Sequence, residues 1–220
     1  MRLTVAALGV LVVMTTGNAR ASTLVFSEGF DSLSALPAAG WVFTNLSASP
    51  SQAWFQGNAG VFNALAGAAN SYAAANFLSS GAVNGTVANW MITPQINLAG
   101  GETITFQVRS EDVAFADGLE LRLSLTGSSD TTAFSAPLWS TAAAAAGWTA
   151  VSVLVPVQAS PVLARMAFVY KSPDALTANY IGIDSLAVAP IPEPASVVLL
   201  GLGLVGLATR RRWAACKEVL

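Results

Sequence analysis

The chain has 220 residues, of which 54% are hydrophobic and only 10% are charged. Residues 22–190 contain four basic and ten acidic side chains, a net charge of −6, which excludes charge-driven binding to nucleic acid phosphates. The whole sequence lacks histidine, which excludes Ser-His-Asp and Cys-His catalysis as well as histidine metal sites.

The first residues have the order of a secretory signal. Arg2 precedes an apolar stretch over residues 3–14, and the small residues of Ala19-Arg20-Ala21 come after it. This order is typical of a signal peptide. We expect residues 1–21 to engage the secretion translocon. Signal peptidase should then cleave after Ala21. One domain of ordinary size, residues 22–190, remains.

Short segments in which apolar and polar residues alternate fill this domain, with Gly, Pro, Asn, Ser and Asp between them. The clearest are residues 103–109 and 119–125, and each predicts a strand with one buried face. Ten short strands at this spacing predict an all-β fold, an antiparallel two-sheet sandwich. The predicted strands span residues 24–26, 41–44, 54–56, 72–77, 90–93, 103–109, 119–125, 148–155, 164–170 and 180–188.

Landmark segments follow one another through almost the whole domain. They are FSEGFD at 26–31, LP at 36–37, GW at 40–41, Trp54, NWMITP at 89–94, GW at 147–148 and IDSL at 183–186. In this order they resemble the choice-of-anchor J domain, which is similar to the cleaved-adhesin and MAM-type jelly rolls. The resemblance implies a β-jelly roll used in adhesion or carbohydrate binding, and it implies no single ligand.

Three carboxylates near the ends of the domain are candidate metal ligands. Asp184 shares a predicted strand face with Leu186 and Val188, where a lone carboxylate is costly, and Glu28 and Asp31 follow the first strand. If the first and last strands lie in one sheet, as is common in jelly rolls, the three can hold a structural Ca²⁺. The resemblance to such jelly rolls points the same way, because it implies a calcium ion near the chain ends. The alternative gives Glu28 and Asp31 capping and turn roles and pairs Asp184 with backbone N–H groups.

Another acidic group lies in the loop between the two clearest strands. Glu111, Asp112 and Asp117 can in principle supply the carboxylate pair of a glycosidase. We favour a solvated connecting loop, because adjacent loop residues give no reason for the separation that such a pair requires.

Five tryptophans lie in the domain, and exposed ones can stack on sugar rings while buried ones build the core. Trp139 follows Pro137 in a predicted loop and is the first candidate for exposure. Trp54 marks a second candidate rim. These two residues are the predicted ligand-binding positions.

The C-terminal segment has three consecutive parts. Pro192-Glu193-Pro194 cannot continue a strand or a helix, residues 195–209 carry no charge, and Arg210-Arg211-Arg212 follow. The uncharged run predicts a single membrane helix whose arginines lie on the cytoplasmic side, and a core element of the domain is the alternative.

Together these parts, within residues 191–220, resemble a PEP-CTERM sorting signal. The resemblance implies that the tail holds the exported protein in the inner membrane until an exosortase cleaves near Pro-Glu-Pro. The protein then reaches the cell surface or the extracellular matrix of a Gram-negative bacterium that makes exopolysaccharide.

We therefore predict an exported surface protein that is not an enzyme, with a jelly-roll domain for adhesion or exopolysaccharide binding. A passive structural component of the envelope or matrix is the main alternative. A carboxylate-based glycosidase is the third interpretation, and it needs two carboxylates that face each other across a cleft.

Overall fold

The computed structural model describes residues 24–191 and, beyond them, Gly203. The predicted signal peptide 1–21, the Pro192-Glu193-Pro194 motif and the arginine cluster lie outside the described residues, as does the predicted membrane helix 195–209 apart from Gly203. Among the described residues no helix combines the length and the apolar character that a membrane crossing requires.

The described chain is built almost entirely from strands, joined by loops and four short 3₁₀ helices at Leu33–Ala39, Phe77–Ser79, Thr131–Ala133 and Ala175–Thr177. All ten predicted strands are present with shifted ends, and β6 and β9 were not predicted. The strands are β1 Phe26–Glu28, β2 Val42–Asn45, β3 Phe55–Gln56, β4 Ala73–Asn76, β5 Val87–Ile92, β6 Ile96–Leu98, β7 Glu102–Ser110, β8 Gly118–Ser124, β9 Trp139–Thr141, β10 Thr149–Leu154, β11 Val162–Ser172 and β12 Tyr180–Pro190.

Two antiparallel sheets face each other, which confirms the predicted sandwich. Sheet I has the strand order β10-β7-β12-β4-β3, and β1 pairs with β12 at its side. Sheet II has the order β2-β5-β11-β8-β9, and β6 pairs with β11. First and last strands therefore lie in one sheet, with Phe26 opposite Val188.

The core lies between the inner faces of the two sheets. From sheet I, Ile104, Phe106 and Val108 of β7 point inward, as their alternation predicts. From sheet II, Phe168 meets Phe106 with the ring centroids 5.0 Å apart at a steep angle. Leu125 ends the predicted strand 119–125 on its apolar face, but it lies beyond β8 and is exposed.

A β-bulge in β12 changes which of its side chains face the core. Ile183 points inward, and so does Leu186, three residues later, because the register shifts between Asp184 and Ala187. Ser185 takes a positive φ of 54° at this point. Asp184 therefore does not share the apolar face of Leu186, and the prediction that placed it there is wrong because strict alternation ignores the bulge.

The outer face of sheet I is covered by residues 57–72, here called the covering segment. Asp184 Oδ2 accepts the backbone N–H groups of Leu65 at 2.8 Å and Ala66 at 3.0 Å. A side chain at Gly182 would collide with the segment, because a Cβ there would lie 2.9 Å from Phe62 Cε2. Asp184 of β12 thus binds the covering segment, and Gly182 of the same strand leaves room for the Phe62 ring.

The two ends of the sandwich differ in what they carry. β12 ends at Pro190, beside the start of the described chain, since the Val25 N–H donates to Val188 O. At the opposite end, here called the distal end, β12 begins and the loops 77–86, 111–117 and 173–179 meet. Ala175 donates its N–H to Gly85 O there, and Ala116 donates to Thr177 O.

Candidate functional site: a cleft at the distal end

A cleft of about 560 Å³ opens on sheet II at the distal end and is here called the distal cleft. Its walls are the first residues of β5 and β8, the last residues of β11 and the end of β9. Hydroxyl groups are frequent among the lining side chains, which include Thr86, Ser140, Thr141 and Ser172. The cleft can thus offer several hydrogen-bond donors and acceptors to a polar ligand.

Two charged side chains, Glu120 and Lys171, line the distal cleft and are paired with each other. Glu120 accepts hydrogen bonds from Lys171 Nζ at 2.8 Å and from Arg122 Nε at 2.7 Å. Burial raises the pKa of Glu120, but the hydrogen bonds and charges of Lys171 and Arg122 outweigh it and hold this pKa below its usual value. The carboxylate is therefore ionised, and about half of the Lys171 side chain stays accessible to a ligand.

Trp90, whose ring lies beside the Arg122 guanidinium, is covered. Trp90 lies on the outer face of sheet II, with its ring 5.7 Å from the Phe134 ring and 5.6 Å from the Arg122 guanidinium. Only 8% of Trp90 is exposed. Among the described residues that line the distal cleft none is aromatic, so the cleft has no stacking surface for a sugar ring.

Trp54 does not form the exposed rim that was predicted. It is 5% exposed, and its indole N–H donates to Asn89 O at 3.0 Å. Its ring instead forms part of the wall of a second groove of about 500 Å³ at the sheet edges, together with Phe43 and Phe55. Trp54 is a core residue that joins the strands on either side of this groove.

Trp139 lies in β9 rather than in a loop, so its predicted loop position is wrong. Its side chain is half-buried, and its role in ligand binding stays a prediction. Its backbone pairs with Leu121 of β8, and its ring packs 5.4 Å from the Phe106 ring. A three-residue edge strand after Pro137 is too short for its alternation to be recognised in the sequence. The strand is held in place by its long-range partner, β8.

Two of the three predicted calcium ligands, Glu28 and Asp184, have other partners in the structure. Glu28 Oε1 accepts the Phe30 N–H at 2.7 Å and closes a turn, and Asp184 binds the amides of the covering segment. Among the described residues no group of three His, Cys, Asp or Glu side chains is arranged to hold a metal ion. These roles are those of the alternative interpretation, and a calcium ion held by Glu28, Asp31 and Asp184 stays a prediction.

The C-terminal segment supplies the decisive comparison. A family model described as the PEP-CTERM protein-sorting motif matches residues 190–212. The chain carries a PEP-CTERM sorting motif. This motif marks an exported protein that exosortase and the secretion machinery sort to the cell surface of a Gram-negative bacterium. The distal cleft of this PEP-CTERM protein lies at the end of the domain away from Pro190, the residue at which the matched motif begins.

The fold of this PEP-CTERM protein is similar to solved adhesin domains. The K1 cleaved adhesin domain of Lys-gingipain from Porphyromonas gingivalis W83 is 20% identical with a TM-score of 0.55, and the match covers 76% of this chain and 98% of that one. The K2 domain of Lys-gingipain is 17% identical with a TM-score of 0.57, covering 74% and 97%. No curated protein matches the chain. These similarities establish the fold.

Asp117 is a buried carboxylate, although its loop was predicted to be solvated. Its Oδ1 accepts the Tyr170 hydroxyl at 2.6 Å and the Asn179 N–H at 2.8 Å. Its Oδ2 is buried without a hydrogen-bond partner among the described residues. Burial raises the pKa of Asp117, and the two hydrogen bonds only partly oppose this. The residue fastens the loop 173–179 to sheet II, and a ligand has no access to it.

Replacing Asp117 by asparagine should therefore change how stability depends on pH. Because its pKa is raised in the folded state, the wild type loses stability as the pH rises from the ordinary aspartate pKa of 3.8 through the raised one. The loss is about 1.4 kcal/mol for each pH unit between the two pKa values. The asparagine variant does not lose stability in this way. Its free energy of unfolding should therefore rise relative to that of the wild type as the pH approaches neutrality. Urea unfolding of both proteins from acid to neutral pH measures the difference, and a constant difference would contradict the assignment.

Proposed function

We propose that this exported protein is a non-catalytic binding module that holds extracellular polysaccharide at the cell surface through the distal cleft. The observation that carries the proposal is the position of the cleft, which opens at the end of the sandwich away from Pro190. A domain tethered or processed near Pro190 would present this end to the surroundings. The similarity to cleaved adhesin domains supports a fold that is suited to such display.

The side chains of the distal cleft suit the hydroxyl groups of a sugar. Glu120 can accept hydrogen bonds, Lys171 can donate them, and the hydroxyls of Ser140 and Thr141 can do both. Because Glu120 already neutralises part of the positive charge, the cleft favours neutral polar groups over strongly charged ones.

Hydrolysis of a bound sugar has little support. Glycoside hydrolases need two carboxyl groups roughly 5–10 Å apart across the scissile bond. Among the described residues that line the distal cleft, Glu120 is the one carboxylic acid, and it is ion-paired. We therefore propose binding without turnover.

Removing the charged pair tests this function. The Glu120→Gln and Lys171→Ala variants should each bind the host's exopolysaccharide about tenfold more weakly, because each loses one charge-assisted hydrogen bond. Titration calorimetry with the exported protein and purified polysaccharide provides the measurement. The matched control is Asp130→Asn, since Asp130 is exposed and only caps the Thr131–Ala133 turn.

A passive structural role is the second candidate, and one observation favours it. Both tryptophans predicted to stack on sugars are packed against the protein core. If the wild type shows no saturable binding to the polysaccharide, the cleft has no such ligand, and the structural role becomes the better explanation. Equal binding by the wild type and both cleft variants would move the binding site elsewhere on the domain.

A further inference from the structure

Arg109 differs from the other basic side chains of the domain. Lys171 and Arg122 are paired with Glu120, and Arg165 donates to the carbonyl oxygens of Gly127, Gly40 and Thr93. Within residues 24–191 the Arg109 guanidinium has neither a hydrogen-bond acceptor nor an ion-pair partner. An acidic domain that leaves one arginine without a carboxylate keeps a cation available for another anion.

The position of Arg109 fixes how its guanidinium is presented. It lies on the outer face of β7, directly opposite Gly182 of β12, and its guanidinium carbon is 4.4 Å from the centre of the Phe62 ring. Phe62 in turn packs at 5.3 Å against the ring of Tyr180. The guanidinium is therefore held on one side by an aromatic stack, and a cation–π contact does not use the N–H groups, so the two Nη groups can still bind an anion.

The burial of Arg109 Nε makes the missing partner costly. This nitrogen has almost no accessible surface and no hydrogen-bond partner among the described residues. A buried N–H group without an acceptor is rare in native structures and destabilises them, so it calls for an explanation. An anion cannot reach the buried Nε, but one bound at the two Nη groups would offset part of this cost by its charge.

The surroundings favour an anion carried on a sugar ring. Trp148 is partly buried beside Phe62, with the ring centroids 5.6 Å apart, and its indole N–H is fixed to Asn63 O at 3.0 Å. Its orientation is thus set before any ligand arrives. Glu111, the acidic residue nearest to Arg109 along the chain, is engaged by the Asn179 side-chain amide at 2.9 Å and does not pair with Arg109.

We propose that Arg109 binds the carboxylate of a uronic acid unit in an acidic polysaccharide, with the sugar ring beside Trp148. A guanidinium recognises a carboxylate through two parallel N–H···O bonds, and an amphipathic indole accommodates the apolar face of the ring. This site is on sheet I and is separate from the distal cleft on sheet II. It relies on the proposed function only for the source of the ligand.

Titration of the exported protein with galacturonate oligosaccharides tests the site. We expect saturable binding by the wild type, a loss of at least about tenfold in Arg109→Gln and a smaller loss in Arg109→Lys, which keeps the charge without the planar fork. Lys171→Gln reports binding in the distal cleft, and Asp130→Asn, which is exposed and lies in neither site, should bind like the wild type. Thermal melting of each variant confirms that it is folded.

Three results would overturn the assignment of Arg109. The first is equal binding of the same oligosaccharides after their carboxyl groups have been reduced. The second is a loss in Lys171→Gln without a loss in Arg109→Gln, which would place the anion in the distal cleft. The third is tighter binding of a polyglutamate peptide than of the uronate oligosaccharide, which would make the ligand a protein. The distal cleft is tested by Glu120→Gln and Lys171→Ala with the host's exopolysaccharide, and the Arg109 site by Arg109→Gln with galacturonate oligosaccharides, so the two proposals can fail separately.

Discussion

We expect the free energy of unfolding of the Phe168→Ala variant to be about 3–5 kcal/mol lower than that of the wild type. Phe168 is fully buried at the centre of sheet II, and its ring contacts that of Phe106 across the core at 5.0 Å. Alanine would remove this contact between the sheets and leave a cavity that close-packed neighbours cannot fill. Because domains of this size are stable by only about 5–15 kcal/mol, the loss is a large fraction of the total.

Urea unfolding followed by tryptophan fluorescence provides the measurement for Phe168→Ala. The matched control is Val157→Ala, which also deletes apolar atoms but at a position that is 80% exposed, so no cavity forms. Its stability should stay within about 0.5 kcal/mol of the wild type. A similar loss in both variants would mean that the two sheets do not meet at Phe168.

We expect the Asp184→Ala substitution to lower the free energy of unfolding by roughly 2–4 kcal/mol. It should also detach the covering segment from sheet I. The carboxylate accepts the amides of Leu65 and Ala66, and its Oδ1 accepts the Ser185 hydroxyl at 3.2 Å. Alanine offers no acceptor, so these donors must find water or remain unpaired. Limited proteolysis should then cut within residues 57–72 faster than in the wild type, and hydrogen exchange should rise there.

Two comparisons sharpen the Asp184 experiment. Asp112→Ala removes an exposed carboxylate that bonds only to the Ala114 N–H in its own loop, and it should leave the covering segment protected. Melting the wild type in a chelator and again with added Ca²⁺ tests the calcium prediction at Glu28, Asp31 and Asp184. An unchanged melting temperature would leave Asp184 with the amide-binding role alone.

The sequence by itself determined the class of fold and the destination of the protein. The strands β7 and β8 are amphipathic with a period of two, so their buried faces could be assigned before any partner was known. The sorting signal is equally local, since proline geometry, an uncharged run and an arginine cluster follow one another directly. Features that depend only on residues close together in the sequence can be predicted from the sequence alone.

The binding features depended on the tertiary structure. The bulge at Ser185 places Asp184 on the outer face of sheet I. Trp139 lies in a strand because it pairs with β8, and Trp54 is buried against Asn89. Each outcome is decided by a partner far along the sequence, and alternation gives no information about such pairings. For the same reason the sequence could not predict that Arg109 has no carboxylate partner among the described residues, because this depends on where the carboxylates of the domain lie.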